Sequence, residues 1–134
     1  MIKSYHCKGV RKAGEMNPTE KQYAEYLETL KQAGKILYYR YEAINLRIAN
    51  GAWYRPDFLV MTSDCTLEVH EVKGAKAVFE DASKLRVKMA AEQFPFRVVV
   101  AWPIPQKQGG GWKYTKYTDE EEHQTITIIN ANPI

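Results

Sequence analysis

The sequence predicts a mixed α/β domain ordered helix, three antiparallel strands, helix, strand, with a mixed central sheet flanked by helices. Three observations carry that expectation. Asn17-Pro18-Thr19-Glu20 opens an amphipathic stretch that stops at Gly34. From Lys35 to Lys73, aromatic and β-branched residues fill runs punctuated by Asn50-Gly51 and Ser63-Asp64. After Gly74 a helical period returns from Lys76 to about Gln93, and Pro95 closes it before the apolar run Val98-Val99-Val100.

The first helix has explicit signals at both ends. Asn17 suits the N-cap, Pro18 the first helical position, and Glu20 the third, where it completes a capping box. Tyr23, Leu27 and Leu30 form its apolar stripe, flanked by Tyr26, and Gly34 is a natural stop. The strand reading rests on residue type: Ile36, Leu37, Tyr38, Tyr39, Tyr41, Ile44, Leu46 and Ile48 make one long β-like stretch. Asn50-Gly51 is a two-residue hairpin signal. The second strand is expected from Ala52 or Trp53 through Asp57 to Met61, and the third over Thr66–Lys73. In the second helix Val78, Ala82, Leu85 and Met89 recur at helical spacing and read as the buried stripe, which puts Lys84, Arg86 and Lys88 on the exposed face. A continuous apolar strand at Phe96–Trp102 suits the middle of a sheet covered on both faces, reached from the third strand by a parallel crossover. Trp112–Tyr117 reads as an edge strand, Thr118 with Glu121 as the cap of a short helical turn, and Thr125–Ile129 as a last strand. The chain thus divides into a basic arm over 1–16, a core over 17–102, and a C-terminal extension over 103–134 packed on the same domain.

At 134 residues, with 45% hydrophobic and 26% charged residues, the chain suits one soluble globular domain. Its net charge of +3 permits a nucleic-acid partner without requiring one. The first twelve residues carry Lys3, Lys8, Arg11 and Lys12 and no acid, whereas Asp119-Glu120-Glu121-Glu122 lie near the other end. No apolar run approaches the ~18 residues of a membrane span. Two cysteines, Cys7 and Cys65, suggest a reduced, cytoplasmic protein. His6, Cys7, Cys65 and His70 have no zinc-type spacing, and no phosphate-binding loop or serine-nucleophile motif is present.

Chemistry concentrates in Tyr54-Arg55-Pro56-Asp57-Phe58-Leu59 and Glu71-Val72-Lys73-Gly74, fourteen positions apart from Asp57 to Glu71. Strand parity puts Val69, Glu71 and Lys73 on one face and Glu68, His70 and Val72 on the other, so His70 reads as structural. Two antiparallel neighbours can bring Asp57 and Glu71 together. Two carboxylates, with a strand carbonyl such as that of Val72, are the hard oxygen ligands Mg²⁺ prefers. Lys73 then supplies a fixed cation against a phosphodiester. Glu20 borders the buried seam of its helix and can reach such a site. Tyr38, Tyr39, Tyr41, Trp53 and Tyr54 read mainly as sheet-packing residues, with base stacking the lesser reading.

This order of elements, with Glu20, Pro56-Asp57 and Glu71-Val72-Lys73, resembles the PD-(D/E)xK nuclease superfamily. Over roughly residues 7–75, Lys8-Gly9-Val10-Arg11-Lys12-Ala13-Gly14 and the same acidic positions are similar to the phage endonuclease I family of Holliday-junction resolvases and to related small phage domains. The resemblance implies a restriction-endonuclease-like core and a Mg²⁺-dependent endodeoxyribonuclease, with Mn²⁺ as a substitute. It implies metal ligation by Glu20, Asp57 and Glu71, a catalytic Lys73, and a homodimer cutting branched DNA in the host cytoplasm. It also sets the basic arm of Lys3, Lys8, Arg11 and Lys12 near DNA, where phosphate contacts make binding salt-dependent. The Asp57–Glu71 spacing is longer than in that family, and little matches beyond residue 75. A nickase or an end- or mismatch-directed nuclease of the same fold, and a non-catalytic nucleic-acid-binding module, stay open as alternatives.

Overall fold

A computed structural model describes residues 14–74 and 81–117, together with the backbone of a last strand over 124–128. The basic arm, residues 75–80 and the expected turn at Thr118–Glu121 lie outside the described residues. The elements run α1 (Pro18–Gln32), β1 (Ile36–Tyr41), β2 (Leu46–Ala49), β3 (Ala52–Tyr54), β4 (Phe58–Thr62), β5 (Leu67–Val72), α2 (Asp81–Gln93), β6 (Arg97–Pro103), a 3₁₀ turn (Gln106–Gln108), β7 (Trp112–Tyr117) and β8 (Gln124–Ile128). Among the described residues the architecture is α/β, two helices on a mixed sheet ordered β1-β4-β5-β6-β7-β8, plus a separate β2-β3 ribbon.

Helix α1 forms where its capping signals place it. The Asn17 side chain accepts from the Glu20 N–H while the Glu20 carboxylate accepts from the Asn17 N–H, each at 2.8 Å. At the other end Gly34 adopts φ +76°, and its N–H and that of Lys35 turn back to Lys31 and Leu30. This is the two-bond Schellman closure, which needs the left-handed conformation glycine takes without penalty. Tyr23, Leu27 and Leu30 are buried as the period requires.

The strand region differs from the sequence expectation in two places. The expected strand over Lys35–Ile48 is two strands, β1 and β2, separated at Glu42, which takes φ +47°. The expected strand from Ala52 to Met61 is likewise β3 and β4, broken at Arg55-Pro56-Asp57. The Asn50-Gly51 hairpin forms, but it folds β2 and β3 away as their own ribbon. In the main sheet β4 pairs antiparallel with β1 and β5, and β5 runs parallel to β6.

One face of the sheet packs Phe58, Val60, Val72, Val99 and Ala101 against α1, with Trp112 and Tyr114 alongside. The opposite face packs Val69, Val98 and Val100 against α2 and the β2-β3 ribbon. The sequence reading of α2 is corrected here. Val87 and Ala90 are its buried residues, whereas Ala82 is exposed and Leu85 is 58% exposed. Two apolar stripes fit the same helical period, and the one through Val87, Ala90, Ala91 and Phe94 faces the sheet. Strand β7 is also corrected: it pairs with both β6 and β8 and so is interior, not an edge.

Candidate active site

The site is built at one end of β4 and β5, where three elements deliver carboxyl groups. Asp57 occupies the bend before β4, directly after the fully buried Pro56. Its carbonyl accepts from the Glu42 N–H at 2.8 Å, so the unusual turn after β1 clamps the bend. The Oδ2 atom of Asp57 accepts from the Val72 N–H at 2.8 Å. The ladder pairs Phe58 with His70, and its register continued by one step sets Asp57 across from Glu71.

Glu71 and Lys73 share a side of β5, as parity requires. The Lys73 Nζ stands 3.6 Å from Glu71 Oε1, and both side chains are largely buried. The Tyr54 hydroxyl donates to Glu71 Oε2 at 2.7 Å, anchoring that carboxylate from the β2-β3 ribbon. Glu20 arrives from α1 and is only 3% exposed. Besides its capping bond, it accepts from the Tyr41 hydroxyl at 3.3 Å to each carboxylate oxygen.

Electrostatics tie the three acids together. Burial, then the charge of Glu71, then that of Glu20 push the Asp57 carboxyl up to about 9, against the Val72 N–H that favours its anion. In its protonated form Asp57 hydrogen-bonds Glu20. Burial raises the Glu71 carboxyl as well, opposed by the Tyr54 hydroxyl and by Lys73 and reinforced by Glu20. Burial, followed by the charge of Glu71, lifts the Tyr54 hydroxyl far above the usual phenol range, so it serves as a permanent donor.

The structure therefore brings Glu20, Asp57, Glu71 and Lys73 into mutual influence. Val72 contributes its N–H to Asp57. Lys3, Lys8, Arg11 and Lys12 lie outside the described residues. His70 sits on the α1 side in a separate buried chain, hydrogen-bonded to the Tyr23 hydroxyl and, at 3.0 Å, to Glu68, which Arg97 meets at 2.8 Å. Burial works against the Glu68 charge, but the bond to His70 and the charges of His70 and Arg97 hold its carboxyl below the ordinary range.

Sequence reasoning missed the roles of Tyr41 and Tyr54, treating both as packing residues. A usable signal existed, since a phenol in a buried run needs a partner for its hydroxyl. Trp53 is also corrected: it is 54% exposed and does not pack the sheet.

As a metal site the donor set has the right chemistry. Asp57, Glu71 and Glu20 offer only hard oxygens, and Mg²⁺ is commonly held by one or two carboxylates with the remaining positions left to water and phosphate. Among the described residues, however, no three His, Cys, Asp or Glu side chains are grouped tightly enough to form a ready metal cage. Among the described residues no helix is long and apolar enough to cross a membrane. No family model, no curated protein and no solved structure matches this chain.

Proposed function

We propose that the chain is a metal-dependent DNA endonuclease with a restriction-endonuclease-like core, hydrolysing phosphodiester bonds in structured DNA such as branched junctions, and working as a homodimer. One observation carries this reading. Three acids from three parts of the chain share a partly buried site with one lysine, and burial, followed by the charges of Glu71 and Glu20, pushes the Asp57 carboxyl up to about 9. Such a concentration of like charge destabilises the fold and is characteristic of a functional site. A divalent cation offsets it.

In this reading Asp57 and Glu71 hold Mg²⁺ or Mn²⁺, with Glu20 as a further ligand. A divalent ion held there supplies positive charge to the scissile phosphate and acidifies water. The chain's own groups do the positioning. The Val72 N–H orients Asp57, the Tyr54 hydroxyl orients Glu71, and the Asn17 N–H with the Tyr41 hydroxyl orients Glu20. The Lys73 ammonium, set beside Glu71, neutralises charge that grows on the phosphate. The arm carrying Lys3, Lys8, Arg11 and Lys12 contacts phosphates along the DNA.

A second reading, a non-catalytic nucleic-acid-binding module, is favoured by the absence of a ready three-residue metal cage among the described residues. Cleavage assays separate the two. With Mg²⁺ or Mn²⁺, four-way junction, flap, mismatched and linear duplex DNA are offered to the protein. Cleavage is expected, with Asp57→Asn and Lys73→Ala each losing on the order of 10²–10³ in rate. No cleavage of any substrate, or full activity in both variants, removes the enzymatic reading. A persistent monomer by size-exclusion and light scattering removes the homodimer.

A further inference from the structure

Beside the carboxyl cluster a second feature opens on the α2 side of the sheet. A cleft of ≈260 Å³ is lined by Trp53, Tyr54, Arg55, Glu71, Ser83 and Arg86. Tyr54 and Glu71, joined by their hydrogen bond, are among its lining residues, so the cleft shares Glu71 with the candidate active site. Alternation along β3 turns Tyr54 inward and leaves Trp53 and Arg55 outside. Trp53 lines this cleft and is 54% exposed. A large aromatic left open beside two guanidinium groups is the composition of a stacking platform next to a phosphate site.

The charges agree. In the lining of the cleft, Arg55 and Arg86 are accompanied by one carboxylate, Glu71, which is already engaged by Tyr54 and Lys73. Among the described residues, the links that hold the two arginines are weak. Arg55 reaches Glu42 only at 3.8 Å, and Arg86 reaches the Ser83 hydroxyl at 3.5 Å. Both are therefore available to an anion without breaking a strong pair. The volume is smaller than the roughly 300–1,000 Å³ of sites that enclose a drug-sized ligand, so the cleft suits one nucleotide at a time.

We propose that this cleft seats a single unpaired nucleotide of the DNA, its base stacked on Trp53 and its phosphate between Arg55 and Arg86, immediately beside the bond that is cut. The proposal rests on the nuclease reading of Glu71 and adds to it the substrate feature selected: a base free of its stack. A base inside a duplex has both faces covered by neighbours and must be extruded before it can lie on an indole. Flapped, gapped or mismatched strands offer that face at less cost, so Trp53 and the two arginines select structure without reading sequence.

The test separates binding from cutting. Affinities of wild-type protein, Trp53→Ala, Trp53→Phe and Arg86→Gln are measured in EDTA for a 5′-flap, a gapped duplex and a fully paired duplex. Cleavage of the same DNAs is measured with Mg²⁺. Wild type is expected to prefer the flap and gap. Trp53→Ala is expected to lose on the order of tenfold or more on those DNAs and little on the duplex. Trp53→Phe is expected to keep most of the preference, and Arg86→Gln to lower the salt slope by about one phosphate contact. Both altered side chains are exposed, and an unchanged melting temperature confirms that the variants fold. If Trp53→Ala binds all three DNAs as wild type does, or if wild type shows no preference, the inference is overturned even where cleavage occurs. If selective binding depends on Trp53 but no DNA is cut, the seat for an unpaired base stands, and its place beside a scissile bond falls with the enzymatic reading.

Discussion

Asp57 answers two opposed demands, and its surroundings show how they are reconciled. The Val72 N–H favours its anion, while burial and the charges of Glu71 and Glu20 favour its acid, and the acid prevails up to about pH 9. In the unfolded chain an aspartate ionises near its ordinary 3.8. Between these values the folded state binds a proton that the unfolded state has released, so this group's contribution to stability falls as pH rises through the window. Asp57→Asn keeps an acceptor for the Val72 N–H and removes the charge. We expect it to be more stable than wild type at pH 8, on the order of 2 kcal/mol at about 1.4 kcal/mol per pKa unit after relaxation is allowed for, while losing cleavage. Urea melts at pH 5 and pH 8 test this, because the gap between the proteins must widen with pH. A gap that shrinks toward pH 8 contradicts the placement of Asp57. Tyr54→Phe makes a complementary case. It leaves the Glu71 carboxylate without its shortest hydrogen bond, with an expected cost of roughly 1.5–3 kcal/mol for a bond to a charged group and a lower kcat.

At the scale of elements, α1 ties folding to the site because Glu20 is both its capping residue and one of the acids. Asn17→Ala removes the acceptor for the Glu20 N–H, and we expect it to cost about 1 kcal/mol and to depress activity by loosening Glu20. Calorimetry and the cleavage rate, read together, test that link. This helix was legible in the sequence because every signal for it is local: Asn17, Pro18 and Glu20 at one end and Gly34 at the other. The strands were less so. Nothing in an aromatic run announces that Glu42 takes a left-handed conformation, since its stabilisation comes from the carbonyl of Asp57, fifteen positions away. Helix α2 offered two apolar phases, and only the sheet it lands on decides between Leu85 and Val87. In the site, alternation was enough to group Glu71 with Lys73 and to set His70 apart. Tyr41 and Tyr54 were hidden because their partners are long-range. The separation of the two polar clusters is itself testable. Glu68→Ala leaves His70 and Arg97 without their shared acceptor. It is expected to cost roughly 1–3 kcal/mol, mainly for the buried imidazole left without its partner, while leaving any response to divalent ions intact.

At the scale of the whole molecule, the sheet carries a packed aromatic core on one face and a cleft on the other. The α1 face holds the aromatic core around Tyr23, and the α2 face holds the cleft and the β2-β3 ribbon. Asp57 lies where the two meet, in a bend that belongs to neither helix layer, and so feels Glu20 from one side and Glu71 from the other. In the proposed nuclease reading a divalent ion relieves the electrostatic load of this cluster, and ion binding and folding are then linked. A ligand at 100 times its Kd stabilises by about 2.7 kcal/mol, which for a chain of this size raises Tm by roughly 10 °C. The ion competes with the proton on Asp57, so the gain must be small at pH 5.5 and must grow toward pH 9. Thermal melts with EDTA, Mg²⁺ and Mn²⁺ across that range test the linkage without reference to DNA or to cleavage. In Asp57→Asn the pH-dependent part of the gain should shrink, because the proton competing at Asp57 is gone together with that ligand and the raised Glu71 carboxyl remains. A Tm that ignores the ion at every pH would show that the three acids do not share a cation, and would leave the fold with a buried charge cluster that only DNA, or nothing, relieves.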